Sequence, residues 1–308
     1  MRRRLRRSLI AGLASCTLLA ALAAPASASA HSGSGAGSGG VDTTRLPVGA
    51  DPVSSAEVSK VFSCQTSFNS NAPGAFKTGD WFNGDGTWNL TTKPTVDGTV
   101  AWPDANITIT TSGSNRLISG NGLPTKETTG TYPVASTDDA YSYDRNPNSV
   151  KAQTVSITLP KNPKVAATPT CLSLGTVGIL VNGVQFFNAL DAGGRDAGAY
   201  EIQDTCGGHP EMSGTYHYHS ISTCVLQRLD NGSGHSKLVG YAADGFGMYG
   251  PRGTNGKDVT DADLDACHGH THTVKFNGKT QKIYHYHATS EYPYTIGCYK
   301  GTPVTTNG

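Results

Sequence analysis

The tetrapeptide Tyr-His-Tyr-His occurs twice in this chain, at Tyr216–His219 and at Tyr284–His287. Side chains alternate faces along an extended strand, so His217 and His219 share a face, as do His285 and His287, with the tyrosines opposite. Two strand steps span only about 6.8 Å, close enough for paired imidazoles to reach one ion. Each copy is framed alike: Cys206-Gly-Gly-His209 precedes the first and Cys224 follows it, while Cys267-His-Gly-His270 precedes the second and Cys298 follows it. Nine of the ten histidines fall between His209 and His287, which makes them a local device. The pattern reads as a duplicated metal site carried on strands.

Residues 1–30 read as a signal peptide. Arg2 to Arg7 form a charged n-region, Leu9 to Ala24 an apolar stretch, and Ala28-Ser29-Ala30 a small-residue cleavage site. Arg6-Arg7-Ser8-Leu9-Ile10 also fits a twin-arginine signal, so the Sec and twin-arginine routes both stay open. Leu13-Ala14-Ser15-Cys16 has the look of a lipoprotein box, but the apolar run continues past Cys16, which favours plain cleavage. No later stretch is long and apolar enough to span a bilayer, and the expectation is a secreted, extracytoplasmic protein. Without residues 1–30, 19 Lys and Arg stand against 23 Asp and Glu, a net charge of −4. Such a chain, lacking basic clusters, is not built for nucleic acid or anionic lipid. A metal ion, the cell envelope or an extracellular substrate are the partners left.

The six cysteines that remain form an even set, which favours three disulfides in an exported protein. Chain order suggests Cys64–Cys171, Cys206–Cys224 and Cys267–Cys298 among the fifteen possible pairings. Bridged thiols would leave imidazole and carboxylate as the metal ligands.

Gly/Ser-rich His31–Gly40 opens a flexible tether expected to run to residue 60, and residues 61–303 read as a single domain. Gly, Thr, Tyr and Asn outweigh Leu, Glu and Lys there, a composition that suits strands and turns. Asn106–Thr111, Gln153–Leu159 and Lys282–His287 alternate with period two, and only Asp258–Cys267 looks capable of a short helix. The fold expected is all-β, an antiparallel sandwich of loop-rich, disulfide-stabilised character. Two Asn-Gly pairs mark hairpins, one turning at Asn182-Gly183 and one at Asn277-Gly278. A two-residue turn at the second pairs Phe276 with Lys279, and extending that register sets His272 opposite Ile283, His270 opposite His285 and His268 opposite His287. Directly opposed Cβ atoms lie about 5 Å apart, so four or five imidazoles converge on one hairpin.

These motifs resemble the bacterial secreted YHYH domain family. The likeness runs from about Arg116 to Gly301 and is carried by Asn121-Gly-Leu-Pro124, Asn146-Pro-Asn148, Asn182-Gly-Val184 and Asp204-Thr-Cys-Gly-Gly-His-Pro210. Both Tyr-His-Tyr-His copies carry it too, with Gly240–Phe246, Tyr249-Gly-Pro251, Leu264-Asp-Ala-Cys267 and Tyr292-Pro-Tyr294. It implies an exported, β-rich, metal-binding domain without a settled reaction. His268, His270 and His272 are denser than the family pattern.

His217, His219, His285 and His287 are the leading metal ligands, with buried hydrogen-bonding histidines as the structural alternative. His209 and His270 come next, then His268 and His272. His235, in a Gly/Ser turn, is set aside, as is an amino-terminal copper site at His31, because the tract after it cannot preorganise one. Borderline ions suit imidazole, and copper or zinc is expected. Asp244 and Asp204 are candidates for a general base or for holding a ligating histidine, or else cap turns. The four motif tyrosines should pack in the core. The function expected is metal binding, with an ion held by the two Tyr-His-Tyr-His strands. Alternatives are a metal-dependent hydrolase or oxidoreductase with an open coordination position, or an envelope- or glycan-binding module.

Overall fold

The computed structural model describes residues 41–306 apart from 66, 70, 72 and 73. The expected signal peptide and residues 31–40 of the expected tether, His31 included, lie outside the described residues. Residues 41–60 depart from the tether reading. Leu46 is buried in the core, and β1 (Leu46–Pro47) pairs with β2 (Thr87–Trp88).

The period-two segments form strands. β3 (Ile107–Ser112), β4 (Asn115–Gly120) and β5 (Val155–Pro160) make an antiparallel three-stranded sheet. The other strands are β6 (Thr176–Leu180), β7 (Gln185–Phe187), β8 (Gly208–Pro210), β9 (Tyr216–Tyr218), β10 (Leu238–Ala242), β11 (Gly247–Tyr249), β12 (Gly269–Phe276) and β13 (Lys279–His287). They form one eight-stranded sheet in the order β12-β13-β11-β10-β6-β7-β9-β8. Ile118, Val155, Ile157 and Leu159 of the small sheet pack with Ile179 and Tyr241 of the large one. Arg116, itself buried, lays its guanidinium 3.9 Å from the Tyr241 ring centre across that join. The opposite face of the large sheet enters the main core with Phe186, Met248 and the four motif tyrosines.

The all-β, disulfide-stabilised expectation holds, with one difference in the sheet. β7 pairs parallel with β9, and β11 pairs parallel with β13, so the large sheet is mixed. The reason is a repeat. In each half a hairpin (β6-β7 or β10-β11) is followed by an outer strand and then by a Tyr-His-Tyr-His strand that inserts beside the hairpin. The halves meet antiparallel at β6-β10, which relates them by an approximate two-fold. The sequence carries the same echo, Val177-Gly-Ile-Leu-Val-Asn-Gly183 against Val239-Gly-Tyr-Ala-Ala-Asp-Gly245. Gly183 and Gly245 both sit in the left-handed region at the turn that follows.

The β12-β13 register matches the turn-based expectation residue for residue from Phe276–Lys279 to His270–His285. It closes at Gly269–Tyr286, and the His287 amide then bonds the His268 carbonyl. All three cysteine pairs are bridged as chain order suggested. Helix is scarce but not where expected. Asp258–Cys267 yields only a 3-10 turn at Asp261–Asp263, whereas α1 (Ala197–Tyr200) and α2 (Thr223–Leu229) are helical, capped by Asp196 and Ser222. No helix among the described residues is long and apolar enough to cross a membrane.

Candidate metal centres

The tyrosines of each motif are held first. Tyr216 donates to Asp204 Oδ2 at 2.8 Å, and Tyr284 donates to Asp265 Oδ1 at 2.9 Å. Each of these carboxylates also gathers the turn amides beside it: Cys206 and Gly208 in one half, Cys267 and Gly269 in the other. The second tyrosine of each motif meets the hairpin turn. Asn182 Nδ2 donates to Tyr218 at 3.2 Å, and Tyr286 donates to Asp244 Oδ2 at 2.5 Å. Asp204 and Asp244 therefore cap turns and anchor tyrosines on the side of the strands away from the imidazoles.

With the tyrosines fixed in the core, strand alternation turns the histidines to the other face. The eight-stranded order sets β9 and β13 five strands apart, about 24 Å along the sheet. The motifs thus form two clusters and do not converge on one ion. His209, His217 and His219 make one; His235, His270, His272, His285 and His287 make the other. Within each, one nitrogen from every ring lies within 4.8 Å of the rest.

The backbone sets the tautomers. His217 Nδ1 is 3.0 Å from the Thr215 carbonyl and His219 Nδ1 is 2.6 Å from that of Asn188. In the second half the matching bonds are His285 to Ile283 at 3.1 Å and His287 to Gly250 at 2.6 Å. His235 Nδ1 lies 2.7 Å from the Ser236 carbonyl, His270 Nδ1 3.3 Å from Asp263 and His272 Nδ1 3.4 Å from Thr273. A carbonyl only accepts, so these Nδ1 atoms carry the hydrogen and Nε2 is the bare nitrogen of a neutral ring. The bare nitrogens face one another: His217 Nε2 to His219 Nε2 is 3.0 Å, and His270 Nε2 to His287 Nε2 is 3.1 Å. Burial keeps the rings neutral, pushing His219 and His270 down to about 4 and His285 to about 3, with His217 and His209 well below the ordinary imidazole value.

Several buried polar atoms at both clusters have no hydrogen bond: both ring nitrogens of His209, Glu201 Oε2, and Nε2 of His235, His272 and His285. Glu201 Oε2 lies 3.4 Å from His209 Nε2 and equally far from His219 Nε2. Phe187 stacks on His217 with ring centres 3.9 Å apart, closing that cluster from one side.

Of the sequence candidates, the structure gathers His209, His217 and His219 in one place and His270, His272, His285 and His287 in the other. His268 stands apart, bonding Thr289 and approaching Asp261, with φ of 70°. It occupies the left-handed position that Gly207 (φ 82°) holds in the first half. Two neighbours were missed. His235, which sequence reasoning set aside, sits with its ring centre 4.6 Å from His272 and 5.0 Å from His287. Glu201 lies outside the repeated motif, and nothing in the local sequence signals it.

Residues 156–262 match the family model described as YHYH protein, a span that holds the first motif and ends before the second. No curated protein and no solved structure matches the chain. The likeness to the YHYH family read from the motifs is thus matched by the family model over residues 156–262.

Proposed function

We propose that this is an extracytoplasmic protein that binds two transition-metal ions, copper or zinc, one at each histidine cluster. The observation that carries the reading is the contact of paired bare nitrogens, 3.0 Å apart in one cluster and 3.1 Å in the other. Two lone pairs at that range repel, and a cation relieves them without giving up a carbonyl bond, as a change of tautomer in one ring would require. Burial disfavours a shared proton. Donors about 2.0–2.1 Å from a tetrahedral ion stand about 3.3 Å apart, close to the spacing present. Imidazole suits both copper(II), which heads the affinity series, and zinc, which tolerates the geometry offered.

Three bridged cysteine pairs and the basic-then-apolar leader support a site of action outside the cytoplasm. The burial of His209, His217 and His219 favours holding an ion over turning over a substrate. The test is metal analysis of untagged protein, with His217→Ala/His219→Ala and His285→Ala/His287→Ala alongside. We expect about two equivalents in the parent and the loss of one in each variant. A folded parent that takes up no copper or zinc defeats the reading.

A further inference from the structure

The two halves are copies, so their differences carry information. Both present two strand imidazoles and the histidine of Gly-His. The first adds Glu201, three residues before Asp204; the matching position before Asp265 is Ala262. The second adds His272 and His235; the residue two after His209, the counterpart of His272, is Glu211, which folds back on the amides of Ser213 and Thr215.

The additions differ in setting. Glu201 is buried, and its free Oε2 points at two ring nitrogens 3.4 Å away. With the 3.0 Å contact of His217 and His219, three of the six donor–donor spacings lie near a tetrahedral edge, about 3.3 Å for an ion with bonds of about 2.0–2.1 Å, while Glu201 stands outside the group that His209, His217 and His219 form within 4.8 Å. Its backbone is pinned too, the Glu201 carbonyl accepting from half-buried Lys93. His235, His270 and His272 are only partly buried. His235 is carried on Asn231-Gly-Ser-Gly234, where a Cβ built on Gly232 or Gly234 would meet nothing within 4 Å.

Resting on the two-ion reading, we propose that the sites are specialised. The first keeps a resident ion, its shell closed by Glu201 as fourth ligand. The second is an exchange site for copper or zinc, where His235 and His272 take the ion from solvent and return it. A closed four-coordinate shell gives up its ion slowly, whereas surplus imidazoles at a half-open shell let an incoming ligand replace one donor at a time.

Protein loaded with two equivalents of zinc is mixed with excess 4-(2-pyridylazo)resorcinol and the transfer followed by absorbance. Two phases of one equivalent each are expected, separated by at least about 10- to 100-fold, the range that loss of a supporting group costs a metal site. Glu201→Gln should speed the slow phase by a similar factor and leave the fast one alone. His235→Ala/His272→Ala should change the fast phase only. A single phase of two equivalents overturns the proposal, as does a slow phase unmoved by Glu201→Gln in protein of parental circular dichroism. If Glu201→Gln does not fold, a slow phase altered by the His235/His272 variant overturns it instead. Protein that loads neither zinc nor copper refutes the underlying two-ion reading, an outcome distinct from these.

Discussion

The repeat pairs Asp204 with Asp265 in sequence, yet the structure assigns them unequal weight. Asp204 is 2% exposed and accepts four hydrogen bonds: Cys206 and Gly208 amides on Oδ1, the Gly130 amide and the Tyr216 hydroxyl on Oδ2. In Asp204→Asn the amide oxygen can keep the first pair, and the Tyr216 hydroxyl can rotate to accept. The Gly130 N–H, 2.8 Å from the new NH2, cannot. One orphaned buried donor costs about 1–3 kcal/mol, and weakening the remaining bonds from charged to neutral adds about 1. The sum is about 2–4 kcal/mol. In Asp265→Asn, Oδ1 keeps Cys267, Gly269 and Tyr284. The partly exposed Lys300 ion pair on Oδ2 is lost, a contribution of about 0–1 kcal/mol, and the same charged-to-neutral weakening of the remaining bonds adds about 1. Urea unfolding of both variants in EDTA, with disulfides intact, measures the difference free of metal linkage. A clear excess cost at Asp204 is expected. Equal costs, or a larger one at Asp265, would refute the claim that buried donors and not motif position set the price.

Metal retention should extend well below the pH at which free imidazole protonates. His219 and His270 are pushed to about 4 by burial, so their nitrogens stay unprotonated until the pH approaches that value. The same depression gives the metal-free fold a contribution present above about pH 6.5 and lost as pH falls toward 4. Asp196, raised to about 6, runs the opposite way, so bound metal across a pH series, not melting temperature, is the readout. His268→Gly should leave metal stoichiometry unchanged in the same analysis, because that ring stands outside the cluster on a left-handed backbone. Cys206→Ala/Cys224→Ala opens a link between residues 18 apart and should cost about 3 kcal/mol in urea unfolding.

Local chemistry was legible and long-range assembly was not. Asn277-Gly278 dictates a two-residue turn, and from it the pairing of His270 with His285 follows by counting. The cysteine bridges join neighbours in chain order, so order sufficed. The separation of the two motifs depends on β6 and β10 meeting at the sheet centre, a contact between residues some sixty positions apart that no local pattern announces. His235 looked like a turn residue because its glycines are turn residues. It reaches the cluster because Ser236 is held by Asp230 and by the Arg252 amide, which anchors the loop beside β11. The helix at Thr223–Leu229 was hidden by β-favouring Thr and Val, and its Ser222 cap bonding the Val225 amide was the overlooked signal. Asp204 and Asp244 stand in the sequence as candidates for a general base or for holding a histidine, with turn capping as the alternative; their hydrogen-bond partners are turn amides and tyrosine hydroxyls, contacts made by burial that the local pattern does not announce.

The central claim is that each histidine cluster holds its own ion. A crystal of protein soaked in zinc, with diffraction collected on both sides of the zinc absorption edge, locates the metal directly. The account predicts two strong anomalous peaks about 24 Å apart along the sheet, one between His217 and His219 and one between His270 and His287. A single peak, or peaks only at surface carboxylates while both imidazole pairs keep their contacts, would contradict it.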